Sequence, residues 1–195
     1  MGVPCPGCGR TYDVTLFQFG RTIDCTCGER VRMQPLIRRH EPAIAPRFAA
    51  DAMLGRLARW LRILGFDTRF DAAISDAALV QQALVEQRVI LTRDRKLTLE
   101  WTIPRLLVVS SQSPLDQLAE VVAAFSLDWR SGLFTRCNRC NTPLDAIDAE
   151  RAQLRVPERV RLEQRAFKHC SGCDRIYWRG SHVDRIRERL EARLG

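Results

Sequence analysis

Eight cysteines arranged as two quartets constrain this 195-residue chain more than any other feature. The first quartet is Cys5-Pro-Gly-Cys8 and Cys25-Thr-Cys27, with 16 residues between the pairs, and the second is Cys137-Asn-Arg-Cys140 and Cys170-Ser-Gly-Cys173, with 29 between them. A CxxC turn delivers two thiolates from one tight bend, and two such turns supply the four soft donors of tetrahedral zinc. Gly9 and Gly28 follow the two pairs of the first quartet, where the chain must turn without a Cβ. The competing use of eight cysteines is disulfide pairing, which belongs to oxidising compartments. The opening Met1-Gly2-Val3-Pro4-Cys5 has no basic stretch followed by an apolar one. A reducing, cytoplasmic setting is therefore expected, and zinc is the preferred reading for both quartets. Four thiolates leave zinc no open position for water, so both sites are expected to be structural.

Charge divides the chain in the same way. The net charge is +8, and 29 of the 31 basic residues are Arg, with Lys96 and Lys168 completing the set. Residues 1–47 carry +3, residues 48–128 carry −1 and residues 129–195 carry +6. Each basic end holds one cysteine quartet, and the middle is slightly acidic. Guanidinium groups fork onto phosphates and stack on bases, so a polyanionic partner is expected at the ends. The composition, 46% hydrophobic and 28% charged, is globular. The longest aliphatic run, Leu106-Leu-Val-Val109, is far short of the roughly 20 residues of a membrane span.

Four segments follow from these patterns. Residues 1–34 read as a zinc ribbon, in which Thr11–Gly20 alternates and forms a strand pair with Gly20 at a turn. Pro35, Pro42 and Pro46 mark a linker over 35–46, with His40 as a loop histidine. Residues 47–128 alternate short apolar runs (47–50, 68–70, 88–92, 106–109) with helical spacing (53–64, 76–87, 115–125), which predicts a mostly parallel sheet. Residues 129–195 form a second ribbon followed by a terminal helix.

In parallel sheets, ligands bind beyond the carboxyl ends of strands. Asp51 and Asp94 directly follow strands, and Asp76 opens a helix behind Ser75, so three carboxylates can converge on one rim. Converging carboxylates repel unless a cation lies between them, and an all-oxygen site suits Mg²⁺ or Mn²⁺. The plainer alternative is that Asp76 only favours the dipole of its own helix. Arg56, Arg59 and Arg62 recur at i, i+3 and i+6, as either a solvated face or a stripe of phosphate contacts.

These residues also carry a resemblance. Phe48-Ala-Ala-Asp51-Ala-Met53-Leu-Gly55-Arg-Leu-Ala-Arg-Trp60-Leu-Arg-Ile-Leu-Gly65-Phe-Asp67 and Ile90-Leu-Thr-Arg-Asp94 resemble the PIN-like ribonucleases of the Mut-seven C-terminal family. Phe134-Thr-Arg-Cys137-Asn-Arg-Cys140-Asn-Thr-Pro143 and Tyr177-Trp178-Arg-Gly180-Ser-His182 are similar to the zinc ribbon built into that family. The first quartet lies outside the likeness. The resemblance implies a PIN-like three-layer α/β/α fold with two small flanking ribbons, and an activity that hydrolyses RNA with Mg²⁺ or Mn²⁺. By motif, Asp51 and Asp94 match acids of the PIN site, and Asp76 is the best match to the acid between them. A fourth acid is missing after the last strand, where Ser110-Ser-Gln-Ser-Pro stands and Asp116 is a poor substitute. Arg93 and His182 join Arg56, Arg59 and Arg62 as candidate RNA contacts, and Tyr177 and Trp178 as candidate stacking platforms.

A metal-dependent ribonuclease with RNA held by its basic ribbons is the leading expectation, with tRNA or another structured RNA as substrate and no membrane partner. The alternatives are an RNA-binding adaptor with a retired PIN site and a protein-interaction module.

Overall fold

A computed structural model of the chain describes residues 2–33 and 45–195. The expected linker, with His40, lies outside the described residues apart from Ala45 and Pro46. In chain order the strands are β1 (Gly2–Pro4), β2 (Thr11–Asp13), β3 (Ile23–Asp24), β4 (Arg30–Val31), β5 (Phe48–Ala50), β6 (Thr68–Phe70), β7 (Val89–Thr92), β8 (Leu106–Val108), β9 (Asp145–Ile147), β10 (Phe167–His169) and β11 (Ile176–Trp178). The helices are α1 (Gly55–Ile63), α2 (Asp76–Val85), α3 (Leu97–Glu100), α4 (Pro114–Phe125), α5 (Ala149–Gln153), α6 (Glu158–Glu163) and α7 (Ser181–Leu194). The result is the mixed α/β chain expected, with a parallel sheet at its centre and a cysteine quartet toward each end. Among the described residues, no helix is long and apolar enough to cross a membrane.

The chain forms two compact units, each built from two stretches: Met1–Gly55 with Arg69–Ser110, and Arg56–Thr68 with Ser111–Gly195.

In the first unit, the antiparallel pairs β1–β2 and β3–β4 make a ribbon around buried Cys5, Phe17, Cys25 and Val31. Thr11–Gly20 is not the strand pair that its alternation predicts. β2 stops at Asp13, whose Oδ1 accepts the amide (2.8 Å) and the hydroxyl (2.6 Å) of Thr15. That cap turns Val14–Gly20 into 3₁₀ helix and buries Phe17, because a side chain that satisfies its own backbone competes with strand pairing. The main sheet has the order β6-β5-β7-β8, with β5–β7 and β7–β8 parallel. All residues of β5 and β7 are buried, as unbroken apolar runs in parallel sheets usually are. Ala49 and Ile90 from these strands pack with Leu79, Val80 and Ala83 of α2 and Leu97 of α3.

In the second unit, β9, β10 and β11 form an antiparallel sheet over buried Ala152, Val156 and Phe167. The long insertion between Cys140 and Cys170 therefore holds β9, α5, α6 and β10. Asn141, just past the Cys140 knuckle, is tied to the chain after α1: its Oδ1 accepts the Thr68 amide at 2.9 Å and its Nδ2 donates to Asp67 at 2.7 Å. Gly65 ends the turn after α1 at φ +94°, and a Cβ there would lie 2.2 Å from the carbonyl oxygen of Gly132. Helices α4 and α7 are joined by a 2.6 Å ion pair between Asp116 and Arg193. This pairing gives Asp116 a structural partner.

Candidate active site

The ends of β5 and β7 and the start of α2 place three carboxylates in the first unit. Asp51 follows β5, is only 7% exposed, and is fixed by its backbone N–H, which donates to the Leu91 carbonyl at 3.0 Å. Asp94 follows β7, and its Oδ1 accepts the Lys96 amide at 2.8 Å. Asp76 opens α2 behind Ser75, whose hydroxyl accepts the Ala78 amide at 3.4 Å. Serine thus does the capping, which leaves the Asp76 carboxylate free of that task. Desolvation, followed by the charges of Asp51, Asp94 and Glu100, raises the Asp76 carboxyl above the usual carboxylate range. The three acids read from the sequence therefore share one field, and Glu100 at the end of α3 adds a fourth negative charge. No motif announced Glu100. It follows Asp94 by six residues, and α3 alone brings it there.

Between the two strand-end acids stands Thr92, fully buried. Its hydroxyl donates to Asp51 Oδ2 at 2.6 Å and accepts the Asp94 amide at 2.9 Å. One side chain thus holds the Asp51 carboxylate and the Asp94 backbone. Among the described residues, none of Asp51, Asp76, Asp94 and Glu100 makes an ion pair. Their oxygens stand farther apart than the thiols: among the described residues, the cysteine quartets are the groups whose ligand atoms come within 4.8 Å of one another. Carboxylates without a protein cation are the residue type that binds a hard divalent cation. Arg93, between Thr92 and Asp94, is half-buried and makes no ion pair among the described residues. A cavity of about 620 Å³ adjoins the site, lined by Ala50, Arg69, Phe70, Ser75 and Gln82 among others.

The first ribbon is bonded to the end of α3. Thr22 donates its amide to the Glu100 carbonyl at 3.0 Å and its hydroxyl to the same carbonyl at 2.9 Å. Arg30 donates to the Leu99 carbonyl at 2.7 Å. These carbonyls have no partner within a helix, so the ribbon acts as the C-terminal cap of α3.

Both quartets come together. Sγ atoms of Cys5 and Cys27 lie 3.6 Å apart, Cys8 and Cys25 3.5 Å, Cys137 and Cys173 3.6 Å, and Cys140 and Cys170 3.3 Å. Four thiolates about 2.3 Å from one zinc ion would stand about 3.8 Å from each other. All eight cysteines are free of disulfides. The amide of Cys27 and the Tyr12 hydroxyl pull the Cys25 thiol down to about 6, toward the thiolate a metal needs. All four knuckles end on a left-handed residue, Gly9, Gly28, Asn141 and Asp174 at φ +73°, +90°, +72° and +58°. Asparagine and aspartate substitute for glycine in the second quartet, since they tolerate this region best among residues with a Cβ.

The arginine stripe on α1 divides. Arg56 and Arg59 are exposed, whereas Arg62 is 5% exposed and spends its guanidinium on the carbonyls of Thr68 (2.9 Å) and Arg139 (2.7 Å). Arg62 ties the α1 segment to the second cysteine knuckle. His182 is exposed in the first turn of α7, edge-on to the Trp178 ring.

A parallel α/β sheet with clustered strand-end acids and two four-thiol clusters in one chain defines a mixed α/β domain with built-in metal-type ribbons. The chain belongs to the Mut7-C RNAse domain family, whose model matches residues 46–190. Membership points to an RNase-type function with RNA as substrate. The match contains the three acids and the second quartet and leaves the first quartet outside. No curated protein and no solved structure matches the chain.

Proposed function

We propose that the protein is a metal-dependent ribonuclease that hydrolyses RNA phosphodiester bonds at Asp51, Asp76 and Asp94. The observation that carries this reading is the shared field of these acids without a protein cation among them. The three carboxylates would hold Mg²⁺ or Mn²⁺, which supplies Lewis acidity to the attacking water and the phosphate oxygens when bound. Thr92 keeps Asp51 and Asp94 in register with each other. Asp76, whose proton affinity is raised by desolvation and the neighbouring acids, would take the proton of the attacking water. Arg93 binds the scissile phosphate. Exposed Arg56 and Arg59 contact the RNA backbone, and Arg62 serves the fold. Each quartet holds one structural zinc ion in a reducing, cytoplasmic setting, and the basic ribbons hold the nucleic acid.

The test is incubation of the full chain with tRNA and with unstructured RNA in Mn²⁺, with and without EDTA, mapping the product ends. Cleavage that EDTA abolishes is expected; bound RNA that stays intact at every enzyme concentration would favour the adaptor alternative.

A further inference from the structure

A second concavity, of about 440 Å³, lies wholly within the second unit, between the C-terminal ribbon and α7. Its volume falls in the range of about 300–1,000 Å³ typical of small-ligand sites. Phe134, Tyr177, Trp178 and His182 supply aromatic walls. The Trp178 and His182 rings stand edge to face at 86° with centroids 6.5 Å apart. The Tyr177 hydroxyl is already committed, 3.0 Å from Cys137 Sγ and 3.2 Å from Asn138 Oδ1, so Tyr177 offers its ring and is anchored to the cysteine cluster.

The charged residues of the lining are all cationic. Arg136, Lys168, Arg179 and Arg187 line the cavity, and no Asp or Glu does. Arg136 and Lys168 are bonded to backbone carbonyls, of Asn141 at 2.6 Å and Phe134 at 2.9 Å, which leaves their charge uncompensated. Arg179 has only a 3.5 Å contact to Asp184, and Arg187 makes no ion pair among the described residues. An aromatic lining with cationic side chains fits a flat, uncharged ring tethered to an anion. A nucleobase and its phosphate have that form, and base stacking on aromatic side chains is how single strands are held.

We propose that this cavity is a nucleotide subsite that takes one unstacked base of single-stranded RNA, with the adjoining phosphate on Arg179 and Arg187. The subsite rests on the ribonuclease reading for its ligand and adds the substrate class: RNA with an unpaired base. An acidic protein partner would answer to the same cations and has no use for the aromatic walls.

The experiment measures binding of a labelled single-stranded RNA pentamer to the zinc-loaded full chain in chelator-free buffer without Mg²⁺ or Mn²⁺, against a duplex of the same sequence and an abasic pentamer of equal charge. Cleavage in Mn²⁺ is followed in parallel. The pentamer is expected to bind at least about tenfold more tightly than the abasic strand, and Trp178→Ala to remove most of that difference. Trp178 also packs in the ribbon core, so zinc content and circular dichroism accompany that variant. Arg187→Glu changes an exposed side chain and is expected to weaken binding by roughly tenfold with the fold intact. Equal binding of pentamer and abasic strand, or unchanged affinity in both variants, overturns the subsite even if RNA is cleaved in Mn²⁺. Base-dependent binding without cleavage would keep the subsite and remove the ribonuclease reading.

Discussion

Thr92 donates its hydroxyl proton to Asp51 Oδ2 over 2.6 Å, from one central strand of the sheet to the end of its neighbour. The Thr92 hydroxyl oxygen in turn accepts the backbone amide of Asp94 at 2.9 Å, so a buried neutral group ties two of the proposed metal ligands together. Replacing Thr92 by Val keeps the shape and leaves Asp51 and the Asp94 amide without that partner. Loss of about 1–3 kcal/mol of stability is expected in a denaturant melt. A fall of roughly 10- to 100-fold in RNA cleavage is also expected, because misplacement of the acids acts on the rate directly. Thr92→Ser should recover most of both, and an inactive but equally stable Thr92→Val would put the role of this hydroxyl in the chemistry alone.

Asp76 gives a pH dependence with a definite sign. Its folded value is raised by desolvation and by Asp51, Asp94 and Glu100, so the folded state holds the proton more tightly than the unfolded chain does. The favourable contribution is complete below the ordinary carboxylate range and is lost as pH rises through the raised folded value. Without Mg²⁺ or Mn²⁺, the protein at pH 7 therefore carries a repulsion that Asp76→Asn removes. Because the group is exposed, the gain is small, roughly 1–2 °C in melting temperature. Melts of the zinc-loaded protein without added Mg²⁺ or Mn²⁺ should show that gain at pH 7 and none at pH 3, and Mn²⁺ should stabilise the wild type more than the variant.

Much of this arrangement was legible in the sequence. Asp51 and Asp94 follow short apolar runs that proved buried on every residue, and Ser75 ahead of Asp76 marked a helix start. The quartets were readable because ligand spacing is local. What stayed hidden depends on contacts between distant segments. Arg62 shares the period of Arg56 and Arg59, yet it is buried against carbonyls 76 and 77 residues away. Glu100 is a lone acid between Leu99 and Trp101 that no motif marks, yet its charge acts on Asp76. The 3₁₀ helix at Val14–Gly20 escaped because alternation outweighed the Asp13 cap.

The first ribbon should matter to the site through α3. Thr22 and Arg30 cap the Leu99 and Glu100 carbonyls with bonds worth about 1 kcal/mol each. Cys8→Ser with Cys27→Ser is expected to lower zinc from two ions per chain to one and to reduce RNA cleavage. Thr22→Val with Arg30→Ala should reduce cleavage too while leaving zinc content at two. Metal analysis beside the cleavage assay separates the two routes.

Gly65 offers a test of the second unit. At φ +94°, with the Gly132 carbonyl oxygen 2.2 Å from any Cβ, Gly65→Ala must strain the backbone and displace a main-chain neighbour. A loss of about 2 kcal/mol or more is expected in a chemical melt.

The most direct measurement compares cleavage of one single-stranded RNA by wild type, Asp51→Asn and Asp94→Asn in Mn²⁺, with an EDTA control and zinc content checked for each protein. The acids are expected to be essential: both variants keep two zinc ions and their RNA affinity, and lose cleavage by roughly 100-fold or more. Cleavage that persists undiminished in both variants would contradict a ribonuclease centred on these carboxylates.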